Sequence, residues 1–221
     1  MFVVELYTKY KYLKGVHSMK YTAAAYMLTI AIISFLGYCV ENIWLAVTQQ
    51  YINNRNMYFP FLLGYGLAVV GIYLIVGTPK KWLKRKSSNG FMVYLAYFLL
   101  MVILVSIGEI LLGKTVEYFC DFTYWNYEKV PFHLTKFTSL PTSLGFAAII
   151  EFFMEYLMEP ILDKVQHLPK PTLQILAVGF MILLVGDFLV SFRAMYRHKS
   201  PNYLWKYDLT QRHLIHYHTL S

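Results

Sequence analysis

The chain has 221 residues, 57% of them hydrophobic and only 14% charged, with a formal net charge of +8. A soluble domain of this size needs about a quarter of its residues charged to build a polar skin, so composition argues against a water-soluble fold. Nor does the basic excess point to nucleic acid. Lys and Arg gather at the ends of apolar blocks, where lipid headgroups and the cytoplasm lie, and no nucleic-acid-binding motif accompanies them.

In chain order, residues 1–20 read as a basic arm (Lys9, Lys11, Lys14, Lys20), and Met19-Lys20 offers an alternative start. The first apolar block begins near Tyr21, is too long for a signal's apolar core and lacks a small-residue cleavage site, so no cleaved leader is expected. An apolar helix crosses the hydrocarbon in about 20 residues. By that measure block one runs from Thr22 to Val47, broken by polar groups only at Glu41 and Asn42. Block two runs from Phe59 to Gly77, with Gly64, Gly66 and Gly71 suited to close helix packing. Block three runs from Phe91 to Leu112 and holds Glu109. Block four starts at Leu140 and carries Glu151 and Glu155 before Pro160; block five runs from Leu173 to Phe192 around Asp187. Blocks this long and unbroken lack the alternation of a membrane barrel.

The expected fold is all-α: a polytopic helical membrane protein with about five transmembrane helices and an aromatic-rich interfacial segment between the third and fourth. Residues 21–195 form the membrane domain and 196–221 a polar tail. Five basic residues between Lys80 and Lys86 place that loop, and with it the N-terminal arm, in the cytoplasm. Five crossings put the C-terminus outside. Arg193, Arg197 and Lys199 pull the other way, and a fourth block that dips without crossing would satisfy them.

A carboxylate inside a membrane is costly and needs a partner or a wet cavity. Glu41 sits near a helix end, where it either reaches the interface or faces a polar pathway with Arg55 as its partner. Glu109, Gly113 and Glu117 share one helix face, and two acids on one stripe require water, a cation or a basic group. Glu151, Glu155, Glu159 and Asp163 recur every four residues and form either a solvated face or the wall of a conduit. Asp187 with Arg193 is a weaker pair. Trp125-Asn126-Tyr127 lies in an aromatic stretch of the kind found at membrane interfaces. His213, His216 and His218 read as part of a solvated tail rather than a metal site, since no carboxylate or cysteine completes them. Cys39 and Cys120 imply neither a disulfide framework nor zinc. There is no phosphate-binding loop of the GxxxxGK[ST] kind, no HExxH and no GxSxG, so no cofactor is expected and no enzyme class is marked by motif.

The order of several short motifs resembles the ABC-transporter type IV (CmpB-like) family of small bacterial membrane proteins. They are Gly37-x-x-x-Glu41, Asn54-Arg55, Pro60, Tyr65-Gly66, Glu109-x-x-x-Gly113-x-x-x-Glu117, Trp125-x-Tyr127, Pro131-Phe132-x-Leu134 and Leu140-Pro141-x-Ser143-Leu144. The family usually has Asn-Arg-Gly where Asn56 stands here, Gly-Pro in place of Phe59-Pro60, a second Pro before Tyr-Gly where this chain has Leu63, and Asp at the position of Asn126. The resemblance implies a permease-like subunit with membrane lipids around it, a separate ATPase chain or further copies of itself as partners, and a location in the cell membrane. It also implies one polar site where the first and third blocks meet, drawn from Glu41, Asn42, Asn54, Arg55, Tyr65, Glu109, Glu117, Trp125 and Tyr127. Two other readings stand beside transport: a membrane enzyme acting on a lipid or isoprenoid, with one of the glutamates as acid or base and Arg55 on a phosphate, and a non-catalytic accessory whose polar groups specify packing.

Overall fold

A computed structural model describes residues 20–85 and 89–216. Most of the basic arm, the alternative start, Lys86 and His218 lie outside them.

Helix α1 (Ala23–Gln49) is capped by Thr22, whose hydroxyl accepts from the Ala25 amide at 3.3 Å, and ends on Gln50 in the left-handed conformation. Strand β1 (Tyr51–Asn53) leads through a loop to α2 (Leu63–Ile75), a turn at Gly77 and the short α3 (Pro79–Arg85). Helix α4 (Gly90–Cys120) is the longest. A hairpin of β2 (His133–Thr135) and β3 (Thr138–Ser139) precedes α5 (Leu140–Tyr156), which is followed by α6 (Met158–Gln166) and α7 (Lys170–His198). The chain ends in β4 (Trp205–Asp208) and β5 (His213–His216).

Among the described residues, four helices are long and apolar enough to cross a membrane: Ala23–Gln49, Leu63–Lys84 (α2 and α3 taken together), Gly90–Cys120 and Lys170–His198. In its most apolar window α1 is 44% buried within the bundle and α4 only 11%. Helix α1 is therefore central, packed on α2 and α7, while α4 shows most of its surface to the surroundings and packs mainly on α5. Of the block-two glycines only Gly66 is closely packed: a Cβ there would lie 2.3 Å from the Ile30 carbonyl oxygen, whereas Gly64 and Gly71 meet nothing within 4 Å.

Block four does not make one long helix. Pro160 has no amide to offer and its ring crowds the carbonyl one turn earlier, so the helix breaks at Leu157. The expected single acidic face is thus divided between α5 and α6. The start of the block is short as well, because α5 begins deep in the bundle. Lys136, Phe137, Thr138 and Ser143 meet Glu117, Gly113, Glu109 and Ser106 of α4 in descending order. The hairpin therefore descends about 12 Å along α4 from Glu117 to Glu109, at ~1.5 Å per residue, and hands over to α5, whose Ser143 meets Ser106 near the helix's midpoint.

The polar contacts sort into two ends. Tyr21 and Lys20 bind Asp163, Lys80 binds Glu155 and Lys81 binds Glu159 at one end. At the other, β1 pairs antiparallel with β4, β4 with β5, and Lys199 reaches Asp121 at 2.9 Å. The chain is mostly helical, as expected, and short strands are added to the helices. The segment expected as a polar tail continues α7 to His198 and then forms two strands of a three-stranded sheet with β1, with His213 and His216 on the last. The physical reason is that β1 is a short edge with unpaired amides and carbonyls, which the returning chain satisfies.

Candidate functional site

The site is built where the β1–α2 loop and the β2–β3 hairpin fold back between α1, α2 and α4. The Arg55 Nη2 donates to Glu41 Oε2 at 3.0 Å, and the Tyr65 hydroxyl donates to Glu41 Oε1. Both charged side chains are largely buried, at 15% exposure for Arg55 and 17% for Glu41. Burial pulls the Arg55 guanidinium down, but the charge of Glu41, helped by Tyr124 and Tyr65, leaves its pKa above the usual value, so it stays cationic. Its Nε is buried and has no partner.

Backbone geometry explains how Arg55 reaches that position. Arg55 and Asn56 both have positive φ, 50° and 63°. Glycine is the usual residue there, and Asn is the side chain that tolerates the left-handed region best, which accounts for Asn56 in place of the glycine of the Asn-Arg-Gly pattern. The Asn53 carboxamide accepts from the Arg55 amide at 2.9 Å, and the Tyr124 hydroxyl donates to the Arg55 carbonyl at 2.9 Å. Gly37 is required by Tyr65: a Cβ there would sit 2.6 Å from the ring.

On α4, the three positions of the Glu109–Gly113–Glu117 stripe are each answered by the hairpin. Glu117 pairs with Lys136, and Gly113 makes room for the Phe137 ring, 2.3 Å from where a Cβ would be. Glu109 Oε2 accepts from Thr138 Oγ1 at 2.6 Å and from Ser143 Oγ at 3.4 Å. The basic partner that two acids on one face require is thus Lys136, while the deeper Glu109 is met, among the described residues, by the Thr138 and Ser143 hydroxyls. Thr138 and Ser143 are fully buried. Ser139 and Thr142 form a capping box that closes the α5 N-terminus, so the helix start is satisfied internally. Tyr127 lies between the two carboxylates electrostatically: burial first, then the charges of Glu109 and Glu41, push its phenol above the usual pKa, with Arg55 opposing. Where β1 and β4 pair, a cavity of about 120 Å³ is lined by Tyr51, Asn53, Tyr203 and Lys206.

Glu41, Arg55 and Tyr65 come together directly, Glu109 and Tyr127 are neighbours of that group, and Glu117 sits farther out along α4. Asn42, Asn54 and Trp125 instead hold backbone in place. Asn42 bridges the Tyr38 carbonyl and the Asn53 amide, Asn54 binds Met57, Asn202 and Leu204, and Trp125 Nε1 donates to the Phe137 carbonyl at 2.7 Å. Asp187 does not pair with Arg193; its two oxygens accept from the Tyr58 and Phe59 amides at 2.9 and 3.2 Å, which anchors the loop that carries Arg55. Sequence reasoning missed Thr138, Lys136 and Ser143 as site residues. The last stood in the Leu-Pro-x-Ser motif, but nothing in the spacing tells that the segment before it descends along α4.

A family model described as "Putative ABC-transporter type IV" matches residues 28–192. No curated protein and no solved structure matches the chain significantly.

Proposed function

The chain belongs to the ABC-transporter type IV family, and from that premise we propose that it is a permease-like, multi-pass subunit of the cell membrane whose polar site lines a substrate path. The observation that carries this reading is the descent of the β2–β3 hairpin to Glu109. Non-helical backbone at membrane depth is tolerated only where it is buried in protein or lines a water-filled cavity, and transporters use such broken segments to build substrate sites. On this reading the hairpin and α5 together make the fifth crossing, the Lys80 end is cytoplasmic and the strand-bearing end faces outward.

Glu109 is the group that offers a substrate an acceptor, because its neighbours there are hydroxyls rather than a cation. Arg55 keeps a buried Nε that has no hydrogen-bond partner among the described residues. Glu41 and Tyr65 hold the guanidinium in place. The chain has no phosphate-binding loop of its own, so a separate ATP-binding subunit supplies the energy. Affinity purification from native membranes in mild detergent is expected to bring down an ATPase in fixed ratio. A chain that purifies alone and moves solute in sealed vesicles without ATP contradicts the reading.

A further inference from the structure

At the opposite end, where α5 packs on α3 and α4, lies a polar group that the site above does not use. Glu155 is held with its side chain only 6% exposed. Its Oε1 takes the Lys80 ammonium at 3.2 Å and the Tyr94 hydroxyl at 2.9 Å. Its Oε2 is buried with no partner. One turn earlier, Glu151 Oε1 is likewise buried without a partner. Side chains four apart on a helix are neighbours on one face, with Cβ atoms about 5–6 Å apart.

Among the described residues, the surroundings supply one positive charge for these two acids. From α3 comes Lys80, whose Nζ also donates to the Glu155 carbonyl at 2.8 Å. Tyr94 and Tyr97 of α4 lie close enough to feel both carboxylates, and Tyr97 itself donates to the Gly77 carbonyl at 2.9 Å. Tyr156 lies against Lys80 on α5, and the next acid, Glu159 on α6, is already committed to Lys81 at 3.1 Å. Two carboxylates in a low-dielectric junction with one lysine leave one negative charge uncompensated, which is strongly unfavourable.

We propose that Glu151 and Glu155 form a proton-binding site, one proton bridging Glu151 Oε1 and Glu155 Oε2, in exchange with the Lys80 end of the molecule. With the proton bound, the junction holds one carboxylate against one ammonium and α5 packs tightly on α3 and α4. When it leaves, the second charge repels the first across the turn, and that packing loosens. The site is separate from the Glu41–Glu109 region and does not depend on what that region binds.

Infrared difference spectroscopy of the full chain in lipid nanodiscs, titrated over pH, tests this. The wild type is expected to show a protonated-carboxyl carbonyl band that disappears as pH rises. Glu151→Gln and Glu155→Gln should each remove it, while Glu109→Gln leaves it in place. Lys80→Met provides a second test that keeps both acids. Without the ammonium the carboxylate form is less stable, so the band should persist to a proton concentration at least about tenfold lower. The proposal is overturned if the wild type has no such band, if the band survives both glutamine variants, or if Lys80→Met leaves its midpoint unmoved. It is equally overturned if the band's titration appears only when sodium is withdrawn, since the pair then holds a metal ion in place of a proton.

Discussion

At one end of the bundle Glu41 and Glu109 are met by groups that the chain has folded inward, whereas at the other Glu155, Glu159 and Asp163 are met by lysines reaching in from the surface. Arg55 stands on a loop pinned by Asp187, Asn54 and Tyr124, and Thr138 on a hairpin that descends along α4. Lys80 and Lys81, by contrast, are about half exposed and bend flexible stems toward their partners. Asp163 belongs to the same exposed class, its carboxyl held below the usual range chiefly by the Tyr21 hydroxyl and then by Lys20. Charges have a fixed geometry only at the first end. Where the partner is positioned by backbone, breaking the contact leaves a buried charge with nowhere to turn. Where the carboxylate is itself partly exposed and its partner is a snorkelling lysine, as at Glu159 and Asp163, water replaces it.

The largest effect should therefore come from Arg55→Ala, which strands the Glu41 carboxylate. A loss of about 3–5 kcal/mol is expected, read as equilibrium unfolding in mixed micelles, with much of it recovered when Glu41 is also replaced by leucine. Asp187→Asn removes the charge and sets an NH2 donor against one of the two backbone amides, so one bond is lost and the other weakened, and it should cost about 1.5–3 kcal/mol by the same measurement. Gly113→Ala drives a methyl group into the Phe137 ring and should cost about 1–3 kcal/mol, whereas Gly71→Ala, which meets nothing, should be neutral or stabilising by up to ~1 kcal/mol. The smallest effect belongs to the lysine end. Lys81→Ala should change stability by about 1 kcal/mol or less, and raised salt should shrink that further. A Lys81→Ala loss as large as that of Arg55→Ala would erase the distinction between the ends.

The same distinction governs what could be read from the sequence. Apolar blocks one, two, three and five are visible because hydrocarbon demands about 20 apolar residues per helix, and each lies in a helical segment long enough to cross, block two only when α3 is counted with α2. The pairing of Glu41 with Arg55 was legible because a membrane carboxylate needs a cation and few are near. The hairpin was not. His133 to Ser139 is a polar, aromatic-flanked stretch that looks like any interfacial loop, and its depth is set by Phe137 fitting Gly113, a match between residues 24 positions apart. The strands at the C-terminus were hidden for a similar reason: Trp205–Asp208 is ordered by pairing with β1, some 150 residues earlier, and not by any pattern of its own. Asn42, Asn54 and Trp125 have the chemistry of ligand-binding groups, and only the coordinates reveal that their polar atoms are spent on the backbone.

Water access to Glu109 is the point on which the transport reading turns. In a chain with Cys39 and Cys120 replaced by alanine, Glu109→Cys and Ile107→Cys can be compared for their rate of reaction with a membrane-impermeant thiol reagent, since only a hydrated thiol ionises and attacks. Ile107 lies on the same helix, faces outward at 49% exposure and serves as the lipid reference. The cysteine at 109 is expected to react at least about tenfold faster than the one at 107. Equal, slow rates at both positions would contradict it.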